Sequence, residues 1–373
     1  MIIGTKPRVS PRFHFGVTPT AIVKEKVYVG FTVSDSPGAL LREHYEVKAA
    51  KAKAVGGAIC GVEQLTGTLP TKRAVQLYMA CVDPHLTHGS EVMLDTNKSA
   101  RKELESVQKG WLRRIMGVGK RSVVAALHTE TGVEPIGCRR VLLAIGYLRH
   151  MATQCRPEQL VRRALVEAIE LDWLGYNSWV SDLRSVVTDL PGQVQFPDHR
   201  KLLTAEAIED LEGQVKKSMT EGIQREMDQS RKLILLHGRC EPDEEGNLVN
   251  HVPLKLRHYM LVCDARHRRA LTRVLVSNHK YGVELLGYGK GAVERARRLC
   301  RFCRVEVETP EHIWLRCEAK PQLIVMRAEF TEELLAVATE GEREMIEALN
   351  SDDLRLMKYV VSMRSAVALV VGW

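Results

Sequence analysis

The amino-acid sequence predicts a mainly α-helical protein with a small β portion at the N-terminal end and a compact metal-binding knuckle near the C-terminal end. Three observations carry this. From Leu40 onward, apolar residues recur at the three- and four-residue spacing of one helix face. Before Leu40 the chain shows short β-prone runs broken by Pro and Gly. Late in the chain, Cys300-Arg-Phe-Cys303, His312 and Cys317 form a C-x2-C-x8-H-x4-C array.

In the first forty residues, the runs Arg12 to Phe15, Ala21 to Val23 and Val27 to Val33 are separated by Gly16, Pro19, Gly30 and a Ser34-Asp-Ser-Pro-Gly38 turn. They predict small antiparallel strands, too few to close a domain. Leu40 to about Glu63 reads as a long amphipathic helix bearing Lys48, Lys51 and Lys53, broken by Gly67-Thr-Leu-Pro70. A second helix from Arg73 to Val82 is expected to kink or end at Pro84. Asn97 or Ser99 caps the next, which places Leu104, Val107, Trp111, Leu112 and Ile115 on one face and stops at Gly117-Val-Gly119. Ser122 to Thr129 and Ile136 to His150 complete a helical bundle. Pro157 to Glu170 and Thr204 to Gln229 are further amphipathic helices, the second polar enough for a solvent-bridging arm. Glu241 to Asn247 reads as a hinge loop, and Gln322 to Val337 and Glu342 to Val371 as acidic helices that pack back on the body. The expected organisation is 1–38, 39–150, 151–250, 251–299, 300–317 and 318–373.

Cys300 and Cys303 can ligate one ion from a tight turn, and the returning pair His312 and Cys317 completes three sulfurs and one nitrogen. A filled tetrahedral shell leaves no position for water, so the expected cofactor is a structural zinc ion, not a hydrolytic one. The chain holds nine cysteines, and the other six are scattered without framework spacing. Free thiols in a reduced compartment, nuclear or cytoplasmic, follow as the expectation. Nothing near Met1 resembles a secretion signal, and the run Ala366 to Val371 is too short to span a bilayer, so a soluble protein with no membrane partner is expected.

The net charge of +8 is unevenly spread. From Lys255 to Arg304 thirteen Lys and Arg stand against three acids, a local +10 that leaves −2 for the remainder. Lys and Arg displace the counterions condensed on nucleic acid, so a basic stretch entering a metal knuckle predicts phosphate contact. The residues expected to make it are Arg266, Arg268, Arg269, Arg273, Arg295, Arg297, Arg298, Arg301 and Arg304, with Lys48, Lys51 and Lys53 on the earlier helix. Arg266, Arg269 and Arg273 share one helical stripe. Phe302 and Trp314 are either base-stacking platforms or the knuckle's own core.

Several segments together resemble the C-terminal half of a non-LTR (LINE-type) retrotransposon reverse transcriptase, particularly fungal copies. The strand ending Tyr28-Val29-Gly30 is similar to the primer-grip strand at the edge of the palm. Leu77-Tyr78 with Asp83-Pro84-His85-Leu86-Thr87-His88-Gly89-Ser90-Glu91 is similar to the thumb segment. Leu104 to Gly117 and Thr131 to Arg140 resemble the segments that follow, and Glu308-Thr309-Pro310-Glu311-His312 lies within a Cys-Cys-His-Cys knuckle like the family's. The resemblance implies a palm-edge β remnant, a helical thumb, a connector, a basic region and a zinc knuckle, with RNA or an RNA–DNA duplex as partner and an upstream polymerase polypeptide as a further one.

The family's polymerase chemistry needs carboxylates on two divalent ions, two of them in a Tyr/Phe-x-Asp-Asp turn upstream of the primer grip. That turn is not in this chain. Its one Asp-Asp pair, Asp352-Asp353, reads as a helix cap. No Pro-Asp…Asp-x-Lys nuclease pattern follows the knuckle, and Gly287-x-Gly289-Lys290-Gly291 lacks the Lys-Ser/Thr ending of a P-loop. His44, His85, His88 and His128 lack a Ser or Cys at nucleophile-elbow spacing. The expectation is a truncated reverse-transcriptase product that binds RNA and is not an enzyme by itself; the alternative is a host-retained RNA- or protein-binding adaptor derived from such an element.

Overall fold

A computed structural model describes residues 11–35, 41–238, 240–242, 248–250 and 254–372. The protein is mainly helical, as the apolar spacing predicts. The expected borders at 38/39 and 250/251, the Ser36-Pro37-Gly38 part of the first turn and residues 243–247 of the hinge loop lie outside the described residues.

Strand β1 (Phe13–Phe15) pairs antiparallel with β2 (Thr18–Thr20), and β3 (Glu25–Tyr28) with β4 (Phe31–Ser34). The run Val27 to Val33 is therefore a hairpin, not one strand. Its turn, Val29-Gly30, has φ of 49° and 81°, and a two-residue turn with both φ positive carries the twist that paired strands require. Ala21 to Val23 connects the hairpins and is not a strand. β1, β2 and β3 are exposed along their length, and only β4 packs on helix α1 (Arg42–Thr66). There Phe31 stacks on His44 at 5.3 Å, and the Thr32 amide donates to His44 Nδ1 at 3.3 Å.

Helix α1 buries His44, Tyr45, Lys48, Ala49, Ala52 and Gly56, a stripe at helical spacing. Its small residues admit a large neighbour: a Cβ on Gly56 would stand 3.3 Å from the Trp111 ring. Helix α2 (Thr71–Leu77) leads into a π-helical turn over Tyr78–Val82 and then α3 (Asp83–Thr87). Pro84 does not end the helical path. It sits in the first turn of α3, where a missing N–H costs nothing, and the π turn before it, closed by Asp83 N–H to the Tyr78 carbonyl, absorbs the change of register.

Asn97 Oδ1 caps α4 (Lys98–Met116), accepting from the amides of Ser99 at 3.0 Å and Ala100 at 3.3 Å. The helix stops where Gly117 takes φ 67° and the amides of Val118 and Gly117 return to the carbonyls of Arg113 and Arg114, a Schellman closure. Next come α5 (Val124–Thr131), α6 (Ile136–Thr153), α7 (Leu160–Trp173), α8 (Trp179–Thr188) and α9 (Ala205–Gln229). Helix α8 has no counterpart in the expectation, although Ser178 and Ser181 form a capping box at its start. Helix α9 is not a solvent-bridging arm, because Ile208, Leu211, Val215, Met219, Ile223 and Met227 are all buried along one face.

The pair β5 (Cys240–Pro242) and β6 (Leu248–Asn250) precedes α10 (Ala265–Leu275) and the short α11 (Gly282–Leu285). The chain ends in α12 (Pro321–Val337), α13 (Glu340–Leu349), α14 (Asp353–Ser362) and α15 (Val367–Gly372). The single helix expected over Glu342 to Val371 is thus three. Asp352 breaks it by accepting the Arg355 amide at 3.0 Å as the cap of α14.

The chain forms two compact units: residues 1–67, 76–111 and 134–221, and residues 68–75, 112–133 and 222–373. Both are discontinuous, because apolar helix faces find partners far away in sequence. The first unit packs Ile145 and Leu148 of α6, Leu165 of α7, Leu183 and Val187 of α8 and Leu211 of α9 into one core. Beside it, the buried Arg140 grips Asp95 through Nε at 2.9 and 3.0 Å and donates to the Leu86 carbonyl at 2.8 Å, so the buried charge is fully engaged. In the second unit, α15 packs against α10, α12 and α14, and the fully buried Glu130 accepts the Tyr259 hydroxyl.

Candidate metal centre and basic surface

The first two cysteines sit on a tight hairpin. Leu299 bridges Val307 in antiparallel fashion, the Cys300 amide donates to the Glu306 carbonyl at 2.7 Å, and the Glu308 amide donates to the Arg298 carbonyl at 2.9 Å. Arg304 reverses the chain with φ 58°, a left-handed conformation that a non-glycine residue adopts at a cost of roughly 1–2 kcal/mol. The turn aims backbone amides at sulfur: Phe302 N–H donates to Cys300 Sγ at 3.4 Å. Amides of Glu306 and Val305 likewise pull the Cys303 thiol down to about 6, whereas burial pushes Cys300 up to about 11.

The other two ligands share a π-helical turn, His312–Arg316. Thr309 starts it, its Oγ1 accepting the His312 amide at 3.2 Å, and the Cys317 amide closes it on the His312 carbonyl at 2.8 Å. On an α-helix, residues five apart point about 140° from each other. The wider turn brings His312 and Cys317 back to one side, so the x4 spacing works.

The four ligand atoms lie within 4.8 Å of one another. Cys300 Sγ is 3.8 Å from Cys317 Sγ, and Cys303 Sγ is 3.3 Å from His312 Nε2. A tetrahedral ion with metal–sulfur bonds of about 2.3 Å sets its sulfurs about 3.8 Å apart, so this cluster could hold a metal ion. His312 Nδ1 is buried on the side away from the cluster, 2.9 Å from Glu306 Oε2 though off the line of a well-directed hydrogen bond, which leaves Nε2 free to ligate an ion.

Cys300, Cys317 and Ile313 are buried together and packed by Tyr281 and Trp314. Trp314 Nε1 donates to the Tyr281 hydroxyl at 2.7 Å, and Arg327 donates to the Trp314 and Cys317 carbonyls at 2.9 and 3.0 Å. Trp314 is therefore knuckle core rather than a stacking platform. Phe302, at the hairpin tip, is 37% exposed.

The basic residues divide by environment. Asp264 caps α10, accepting the amides of Arg266 at 2.7 Å and His267 at 3.2 Å, and the amides of His267 and Arg266 hold its carboxyl at about 2. From this helix Arg266 and Arg273 are exposed; Arg269 is half-buried over Gly117, and Arg273 Nε donates to the Gly117 carbonyl at 2.8 Å. Arg295, Arg297 and Arg304 are also exposed.

Three of the arginines expected at phosphates are engaged within the fold. Arg268 is buried with its guanidinium on the Val262 and Cys263 carbonyls; Arg298 donates to the Val293 and Val283 carbonyls; Arg301 grips the buried Glu308, with Nε at 2.8 Å. On α1, Lys51 and Lys53 are exposed, but Lys48 lies on the buried face, where desolvation lowers its pKa. A helix stripe read from sequence cannot tell these fates apart, since they depend on which carbonyl or carboxylate comes near. The sequence pattern also misses Lys120, Arg121 and Lys232, which lie outside the basic stretch; the structure brings Arg121 and Lys232 to Tyr288 within it.

Asp352 and Asp353 act as anticipated, as cap and first-turn acid, with Asp353 2.7 Å from Arg316. Among the described residues no helix is long and apolar enough to cross a membrane. No family model, no curated protein and no solved structure matches the chain.

Proposed function

We propose that the protein is a nucleic-acid-binding module built around one structural zinc ion, of the kind that follows the palm in non-LTR retrotransposon reverse transcriptases, and that it does not polymerise by itself. The observation that carries this reading is the closed set of Cys300, Cys303, His312 and Cys317 at the end of a basic stretch with exposed arginines. Three thiolates and one imidazole suit zinc, and a four-ligand shell gives the ion no open position for catalysis. When bound, zinc would tie the hairpin to the π turn. The chain's own arginines do the binding: Arg266, Arg273, Arg295, Arg297 and Arg304 present charge to phosphates, a contact that is indifferent to base sequence. The Asp352-Asp353 pair, committed to capping and to Arg316, supports the absence of polymerase carboxylates from this module.

Metal analysis with RNA titration over a salt series tests the reading. One zinc per chain is expected, with log affinity falling linearly against log salt. Changing Arg266 and Arg273 together to Gln should flatten that line by roughly 1.4–1.8 units, from about 0.7–0.9 per phosphate contact. Zinc-free purified protein, or no RNA binding at low salt, would sink the proposal.

A further inference from the structure

The turn after α4 docks onto the end of α10. The Gly119 amide donates to Asn278 Oδ1 at 2.8 Å, and Ser122 Oγ donates to the Gly119 carbonyl at 2.8 Å. Gly117, at φ 67°, leaves the room that Arg269 fills, for a Cβ there would stand 2.6 Å from Arg269 Cγ. This docking carries Lys120 and Arg121, both exposed, to the basic stretch. Arg121 Cζ stands 5.0 Å from the centroid of the Tyr288 ring, and Lys232 Nζ stands 4.8 Å from the same centroid. The Tyr288 hydroxyl donates to Glu284 Oε2 at 2.7 Å, which fixes the ring beside the two cations. Two residues further on, Lys290 is exposed in a turn that Gly289 enters at φ 84°.

We propose that Lys120, Arg121, Lys232 and Lys290 form a second phosphate-binding patch centred on Tyr288, which receives the backbone of the nucleic acid held by α10. This rests on the function proposed above and extends the contact to residues outside the basic stretch. Among the described residues none of the four cations is ion-paired. Arg121 and Lys232 lie within about 10 Å of each other through one ring, about a Debye length at moderate salt, so their repulsion is only partly screened. The cation–ring contacts return about 0.5–1 kcal/mol each at an exposed site. A phosphodiester chain laid across the patch turns that repulsion into attraction and releases counterions, whereas a neutral partner leaves it in place.

The test uses the full zinc-loaded chain and a short fluorescent single-stranded RNA, with affinity measured over a salt series. Arg121→Gln/Lys232→Gln/Lys290→Gln should flatten the log–log slope by roughly 2–3 units. Tyr288→Phe, which keeps the ring, should retain the wild-type slope. If the triple variant loses helicity, the single Lys290→Gln change at an exposed turn should still flatten it by about 0.7–0.9. A wild-type slope in the triple variant and in Lys290→Gln, while Arg266→Gln/Arg273→Gln still flattens it, overturns the patch and leaves the α10 interface standing. A wild-type protein that does not bind the RNA overturns both.

Discussion

Gly132 shows how much one residue can be asked to satisfy. It ends α5 at φ 73°, its amide closing on the His128 carbonyl at 2.9 Å, and a Cβ there would stand 2.9 Å from the Leu256 backbone nitrogen. Backbone cannot step aside as a flexible side chain does. Gly132→Ala should therefore cost the second unit about 1–3 kcal/mol in urea unfolding. Gly61 is the counter-case: it lies inside α1, exposed, with nothing near its would-be Cβ. Gly61→Ala should leave stability unchanged or raise it by up to about 1 kcal/mol, through helix propensity alone. Both outcomes are read from the same denaturation curves, and equal effects at the two sites would contradict the steric account.

At the scale of elements, the knuckle depends on a π turn whose start is a single hydroxyl. Thr309 Oγ1 accepts the His312 amide at the point where the chain commits to the wider helix. Thr309→Val should remove that bond and cost about 1 kcal/mol, and because His312 and Cys317 share the turn it should also weaken metal retention in a chelator competition. Thr309→Ser should restore both. An unchanged metal affinity in the valine variant would show that the Cys317-to-His312 closure suffices. The array itself was legible in the sequence, since two residues between cysteines and four between His312 and Cys317 are spacings of a ligand set. That Trp314 serves the core was not, because Tyr281 and Arg327, distant in sequence, hold its ring and its carbonyl.

For the whole molecule, acid stability follows from two desolvated histidines, the buried His44 in the first unit and the half-buried His279 in the second. Desolvation is the main cause that lowers His44 to about 4, with Lys48 next, and it lowers His279 to about 4 as well. Each is more easily protonated in the unfolded chain, near 6.5, than in the fold. Their neutral forms therefore contribute stability that is full above about pH 6.5 and is lost as pH falls through 6.5 towards 4. With about 1.36 kcal/mol for every tenfold change in the protonation equilibrium, either loss is bounded at about 3 kcal/mol, and screening by nearby solvent keeps it below that bound. Thermal unfolding between pH 7 and 4 should show His44→Gln flattening the pH dependence; the same slope in the variant would place the acid sensitivity elsewhere.

The sequence by itself determined the helical class, most helix starts and stops, the presence of short antiparallel strands before the first helix and the four residues of the candidate metal centre. These rest on short-range physics: apolar spacing of a helix face, a cap such as Asn97, a left-handed glycine such as Gly117, ligands a few residues apart. Only the tertiary structure decided that α9 is packed rather than a free arm, that the last helical run is three helices, and that the chain divides into two interleaved units. It also decided which cations face solvent. Arg268 and Arg273 stand five residues apart on one helix, yet the first is buried on carbonyls of its own approach loop and the second is exposed. Arg121 and Lys232 meet at one tyrosine from separate segments of the second unit's sequence. Charge acts through space, and the distances through which it acts are set by the packing of apolar faces that carry no charge at all.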